Sequence, residues 1–174
     1  MEPISIDTIE QADFFVWHLD ENQFEEWKAN YAVKQEFLTR IFSNKEVFNL
    51  SNVQSEFILR NYLVIFISFN YYGIDFPDFE RDTYMEAAHK KREFFEKGGK
   101  YPTNYRRLQI LIKETKQTFL SKYLVDKFNE TKDGKSLLFT NGKPTPLMNL
   151  LLLVDFLQEE VEKMSDINNK GASS

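Results

Sequence analysis

The stretch from Asn52 to Tyr72 is apolar on nearly every helical face, and this constrains the fold more than any other feature of the chain. Val53, Phe57, Leu63 or Val64, Ile67 and Tyr71 recur at spacings of three and four, the period of an α-helix. Ile58, Tyr62, Phe66, Phe69 and Tyr72 fill most of the remaining faces. A helix of this kind has no side to offer to water, so it is expected at the centre of the fold, covered by the rest of the chain. Ser51 or Asn52 supplies an N-cap and Gly73 a C-terminal stop.

The flanking segments read as the covering elements. A short helix is predicted over Thr8 to His18. A second runs from Asp20 to about Ser43, opened by a capping-box-like Asp20 and Gln23, with a break near Asn30. After Gly73, Ile74 to Pro77 turns the chain, and Pro77 suits the first turn of a helix that stops at Gly98-Gly99. Thr103 can cap a helix reaching Phe128, with Leu108, Leu111 or Ile112, Thr115, Phe119, Tyr123 and Leu124 as its apolar stripe. Asp133-Gly134 and Asn141-Gly142 are turn signals, and they permit a short hairpin near 137–143. Pro146 to about Met164 is a leucine-rich helix, and the polar residues 166–174 are expected to be a mobile tail. The fold class is therefore all-α: one domain over 1–165, a bundle of about five to seven helices around the 52–72 helix. A chain of 174 residues is long enough to bury such a core.

Several kinds of chemistry find no support in the residues. With no cysteine there is no disulfide, thiolate nucleophile or Cys-based zinc site. Glu86 and His89 stand three apart on a predicted helix, as in carboxylate-bridged di-iron bundles, but Phe15 precedes His18 where a second Glu-x-x-His would be needed. An enzyme built on Glu86 and His89 is the least favoured reading, and no catalytic residue, metal or cofactor is assigned. Lys97 to Lys100 is too short for a phosphate loop, and Asp133 to Ser136 lacks the carboxylates of a calcium loop. The apolar runs fall short of a membrane span, and the N-terminus has neither a secretory nor a mitochondrial import pattern, so a cytoplasmic location is expected.

Charge is unevenly spread. In the first thirty residues eight carboxylates face Lys28 alone, whereas between 86 and 123 ten bases face four acids. Two docking patches follow: a basic corner of Lys90, Lys91, Arg92, Lys97, Lys100, Arg106 and Arg107, and an acidic face of Asp20, Glu21, Glu25 and Glu26. The basic corner suits a protein partner with an acidic surface. A net charge of -5 argues against nucleic acid, although Tyr101 and Tyr105 interleave the bases. A non-catalytic interaction or scaffold protein is thus the leading expectation, and a small regulatory binder such as an inhibitor, immunity or phage-encoded factor is the alternative.

The segment LRNYLVIFISFNYYGIDFPDFERD, followed later by SKYLVDKFNETKDGKSLLFT, resembles the helical domain of the motile-cilium central-pair projection subunit family, which includes the ciliary-associated calcium-binding coiled-coil proteins. Tyr62, Tyr71, Phe76 and Asp78 stand where that family has its aromatic helix, aromatic turn and acidic helix start. The resemblance covers about residues 20 to 140. It departs at Thr131 to Leu138, where the family has a His-Tyr-Lys-Leu-like run. It implies a structural subunit of the axoneme, part of the cytoskeleton, that docks on neighbouring proteins. Calcium binding does not carry over, since no loop here supplies the ligands.

Overall fold

Thirteen consecutive residues, Phe57 to Phe69, are buried on one helix, and the other elements are arranged to cover them. The computed structural model describes residues 1–97, 112, 113, 115–137 and 146–171. Within them the elements are α1 (Ile6–Trp17), α2 (Glu21–Lys34), α3 (Glu36–Ser43), the single turn α4 (Lys45–Phe48), α5 (Asn52–Tyr71), α6 (Arg81–Lys97), α7 (Thr118–Glu130), the short α8 (Lys132–Leu137) and α9 (Pro146–Gly171). Seven of these reach eight residues or more, and no strand occurs among the described residues, so the fold is an all-α bundle.

The central helix begins as its sequence dictates. Ser51 caps α5 by accepting from the Gln54 amide, and Gln54 returns the bond to the Ser51 amide at 2.9 Å. Gly73 ends it at a φ of 79°, a conformation that costs glycine little. Helices α1, α3, α8 and α9 pack directly on α5, while α7 lies against α1 and α9, and α6 lies on α9. The polar donors inside α5 are mostly taken up by carbonyls, while the Asn61 Oδ1 is buried without a hydrogen-bond partner. Asn61 donates to the Phe57 carbonyl and Ser68 to the Val64 carbonyl, both at 2.7 Å. Arg60 is almost fully buried; it donates to the Val16 carbonyl of α1 at 2.6 Å and to Glu56 at 2.9 Å, and its guanidinium lies 4.3 Å above the Phe24 ring. One buried charge thereby ties α1 and α2 to the centre.

Aromatic rings make up much of the filling. Tyr31, Tyr62, Phe66, Phe76 and Phe69 contact one another in sequence at centroid distances of 5.0 to 6.4 Å. Asn70 donates to the Tyr31 hydroxyl at 2.8 Å, and burial pushes that phenol up to about 12. A second chain, Phe79 to Phe156 to Tyr84 to Phe37, joins α9, α6 and α3.

Three boundaries differ from the sequence expectation, each with a packing reason. The break between α2 and α3 falls at Gln35 rather than near Asn30, because the buried Gln35 side chain reaches across to donate to the Pro77 carbonyl at 2.6 Å. Pro77 itself lies in an extended connection, and α6 starts only at Arg81; Phe76 and Phe79 on either side are drawn into the core. The helix expected from Thr103 to Phe128 is interrupted at 115–117 before α7 begins, and residues 101–111 lie outside the described residues. Buried Gln117 forces that interruption. It accepts from the Ile4 amide at 2.8 Å and donates to Gln158 of α9 at 2.6 Å, a bridge that a continuous helix would not place there. The buried stripe shifts accordingly to Leu120, Leu124, Val125 and Phe128, leaving Phe119 half exposed.

The hairpin expectation is also corrected in part. Asp133-Gly134 is not a turn but lies within α8, and Leu137 is buried at its end, while 138–143 lies outside the described residues. Helix α9 continues past Met164 to Gly171, so much of the expected tail is helical and its last three residues lie outside the described residues. Gly134 is where α8 crosses the end of α7: a Cβ there would meet Thr131 Oγ1 at 2.5 Å and the Phe128 Cα and carbonyl oxygen at 2.6 Å. Gly134→Ala is therefore expected to lower stability by about 1–3 kcal/mol in chemical denaturation, because two of the three obstructing atoms, those of Phe128, are backbone. An unchanged midpoint would show that α8 does not approach α7 this closely.

Candidate docking surfaces

The N-terminal helix has one face committed to the core and one free. Ser5 caps α1 by accepting from the Thr8 amide, and Ile9, Ala12 and Val16 form the buried stripe against α5. With that stripe inward, Asp7, Glu10, Gln11, Phe14 and His18 must point outward. Phe14 is 64% exposed. His18 lies flat against it at 3.9 Å between ring centroids, while its Nδ1 donates to the Phe14 carbonyl at 2.7 Å.

Together with Phe15, Leu19, Gln23 and Tyr71 these residues line a shallow open groove of about 840 Å³. Its floor is supported from below: Phe15 meets Trp27 edge-on at 5.3 Å, and Trp27 stacks on Tyr31 at 6.0 Å. Tyr71, the last residue of α5, is 52% exposed. Asp7 and Glu10 rim the groove and neither forms an ion pair among the described residues, although Glu10 also lines the neighbouring cleft that holds Lys122 and Lys127. The combination is an apolar strip with an uncompensated acidic edge.

On the other side of α1, toward α7, lies a smaller cleft of about 460 Å³. Here the Asp13 carboxylate is paired. Tyr123 donates to Asp13 at 2.5 Å, and Lys127 donates to both oxygens of the same carboxylate at 2.8 and 3.0 Å. Lys127 also sits 4.7 Å from the Trp17 ring centroid. Burial first, then the neighbouring Asp13 carboxylate, pushes the Tyr123 phenol far above its ordinary range, so it stays a hydrogen-bond donor at any physiological pH. This cluster is a latch between α1 and α7, in which Asp13 is held by both Tyr123 and Lys127.

The acidic residues singled out from sequence have mixed roles. Asp20 is the N-cap of α2, accepting from the Gln23 amide at 2.9 Å, and Glu21 occupies the first turn. Glu25 is paired with Lys28 at 2.5 Å, whereas Glu26 is exposed with no such partner among the described residues. Of the basic corner, Lys90 is exposed and pairs with Glu86 at 2.6 Å; that hydrogen bond holds the Glu86 carboxyl below its usual range. Lys91 turns inward to Asp155, which is buried on α9, at 3.1 Å, with Glu159 at 3.9 Å. The side chains of Arg92 and Lys97, and all of Lys100, Arg106 and Arg107, lie outside the described residues. Glu86 and His89 are both exposed, and no cluster of three or more metal-ligating side chains occurs among the described residues. No described helix is long and apolar enough to cross a membrane.

The groove residues Asp7, Glu10, Phe14 and Tyr71 were not singled out as a site from sequence. A signal existed nonetheless: once Ile9, Ala12 and Val16 claim the inner face of α1, helical geometry sends Phe14 to solvent. No protein-family model, curated protein or solved structure matches the chain, so the surface itself must carry the functional reading.

Lys91 offers a direct check of the ion pair at the α6–α9 contact. Lys91→Ala would leave Asp155, only 7% exposed, without its cation. A loss of about 1–3 kcal/mol is expected, less than for a fully buried pair because Lys91 is itself one-third exposed. Equal denaturation midpoints for Lys91→Ala and wild type would mean that the pair contributes nothing to α6 docking.

Proposed function

We propose that the protein is a non-catalytic interaction subunit, a scaffold element that docks on another protein through the outer face of α1. One observation carries this reading: Phe14 and Tyr71 are held exposed in a groove whose acidic rim has no internal counter-charge among the described residues. Exposed apolar strips edged by polar groups are characteristic of protein-binding surfaces. Aromatic side chains with few rotatable bonds supply much contact area at low entropic cost, which suits them as anchors. The acidic face of α2 extends the same negative field toward an approaching partner.

The resemblance to central-pair projection subunits supports an assembly component, and a ciliary axoneme is the setting it implies. Of the residues that carry it, Tyr62 and Phe76 are core and Tyr71 lies in the groove.

Affinity capture from the protein's own cells, with wild type and with a Phe14→Ala/Glu10→Lys variant as baits, tests the docking role. Both positions are exposed, so circular dichroism and melting temperature should not change. The expected outcome is a defined set of co-purifying proteins depleted about tenfold or more with the variant, the size of effect seen on removing an interface anchor. Identical capture by both baits would place the docking surface elsewhere or remove it.

A further inference from the structure

The α1 groove has a length, a polarity and a surface chemistry that together restrict what can fill it. Asp7, Glu10 or Gln11, Phe14 and His18 follow one another at three- and four-residue steps, a stripe of three turns and about 16 Å. The acids stand at its beginning and the aromatics toward its end, with Phe15, Leu19 and Tyr71 as apolar walls. A polyanion such as nucleic acid or an anionic lipid surface would be repelled by Asp7 and Glu10, and so would an acidic protein. Strand addition has no template, because no sheet edge exists among the described residues. A partner helix, by contrast, presents its own side chains at i, i+3, i+4 and i+7. Those ridges match the spacing of the grooves along α1.

We infer that the groove binds a basic amphipathic helix of about three turns from a partner protein, its apolar stripe on Phe14, Phe15, Leu19 and Tyr71 and its lysines or arginines facing Asp7 and Glu10. This rests on the docking role assigned to α1 above and adds the partner's chemistry to it. Neutralising two exposed carboxylates that lack an internal partner speeds encounter and fixes orientation. The apolar contact supplies the residence time.

The test uses the full chain and synthetic helices of about 14 residues, long enough to span the stripe. One has leucines at i, i+3, i+4 and i+7 with lysines on the flanks; a second replaces lysine by glutamate; a third carries a central proline that breaks the helix. By fluorescence anisotropy in low salt, the lysine helix is expected to bind. Binding should weaken about tenfold or more with Phe14→Ala and, separately, with Asp7→Lys/Glu10→Lys, and be unaffected by Glu80→Lys/Asp82→Lys at the start of α6. The glutamate helix should not bind, and the proline peptide should bind about tenfold more weakly than its parent.

Absence of binding by the lysine helix overturns the inference. So does binding that survives Phe14→Ala and the α1 charge reversal, since that is unspecific attraction to an acidic protein. Equal affinity of the proline peptide overturns the helical partner. The two levels separate cleanly: if captured cellular proteins still depend on Phe14 while the lysine helix fails to bind, the docking role stands and the basic helix falls. If capture is also indifferent to Phe14, both fall.

Discussion

Burial of α5 on every side is the constraint from which the rest of the molecule follows. A helix with thirteen consecutive buried residues cannot be covered by one neighbour; α1, α3, α8 and α9 pack on it, and Tyr31 of α2 and Phe128 of α7 add ring contacts. Its backbone hydrogen bonds are internal, so the covering helices need only bring apolar surface. The polar side chains within it, Arg60, Asn61 and Ser68, are absorbed by carbonyls nearby. Leucine-rich α9 plays a similar part at smaller scale. It is buried along Leu150 to Leu157 and pinned by Gln117 on one side and Lys91 on another. Once both helices are enclosed, α1 is an outer layer, one face against α5 and the other in water.

How much of this could be read from residues depends on whether the signal was local. The centrality of α5, an N-cap at Ser51 or Asn52 and the Gly73 stop are all written within twenty-odd neighbouring residues, and in the structure Ser51 is the cap and Gly73 the stop. The capping box at Asp20 is local in the same way. Two of the misplaced boundaries involve partners far along the chain. Gln35 breaks the α2–α3 pair because it reaches Pro77, and Gln117 interrupts the expected 103–128 helix because it bridges Ile4 and Gln158. Asp133-Gly134 looks like a turn on propensity alone, yet the close crossing of α8 over α7 is what requires the glycine. Tertiary context overrode propensity at each of these places.

Surface reading from sequence was subject to the same limit. Charge counts located an acidic end and a basic middle but could not say which charges the fold would consume. Lys91 is drawn to Asp155, a carboxylate hidden within an apolar run, and Asp13 is neutralised by Lys127 across more than a hundred residues. Among the acids left unpaired are Asp7 and Glu10, and the exposed Phe14 beside them makes the difference between a solvated face and a docking face. Net charge alone could not have distinguished the two, because solvation and docking call for the same residues until an apolar strip is found next to them.

The docking role depends on α1 being held rigidly to the centre, since a groove on a fraying helix would have to be ordered at the moment of binding. Arg60 bound to Val16 and the Asp13, Tyr123 and Lys127 latch are the groups that hold it. Native-state amide hydrogen exchange tests the central position of α5 most directly. If α5 is enclosed as described, the amides of Leu59 to Phe69 exchange only through global unfolding, with α1 amides near Ala12 to Val16 close behind. Exchange of the α5 amides through a lower-energy local opening, while peripheral α6 remains protected, would contradict the account.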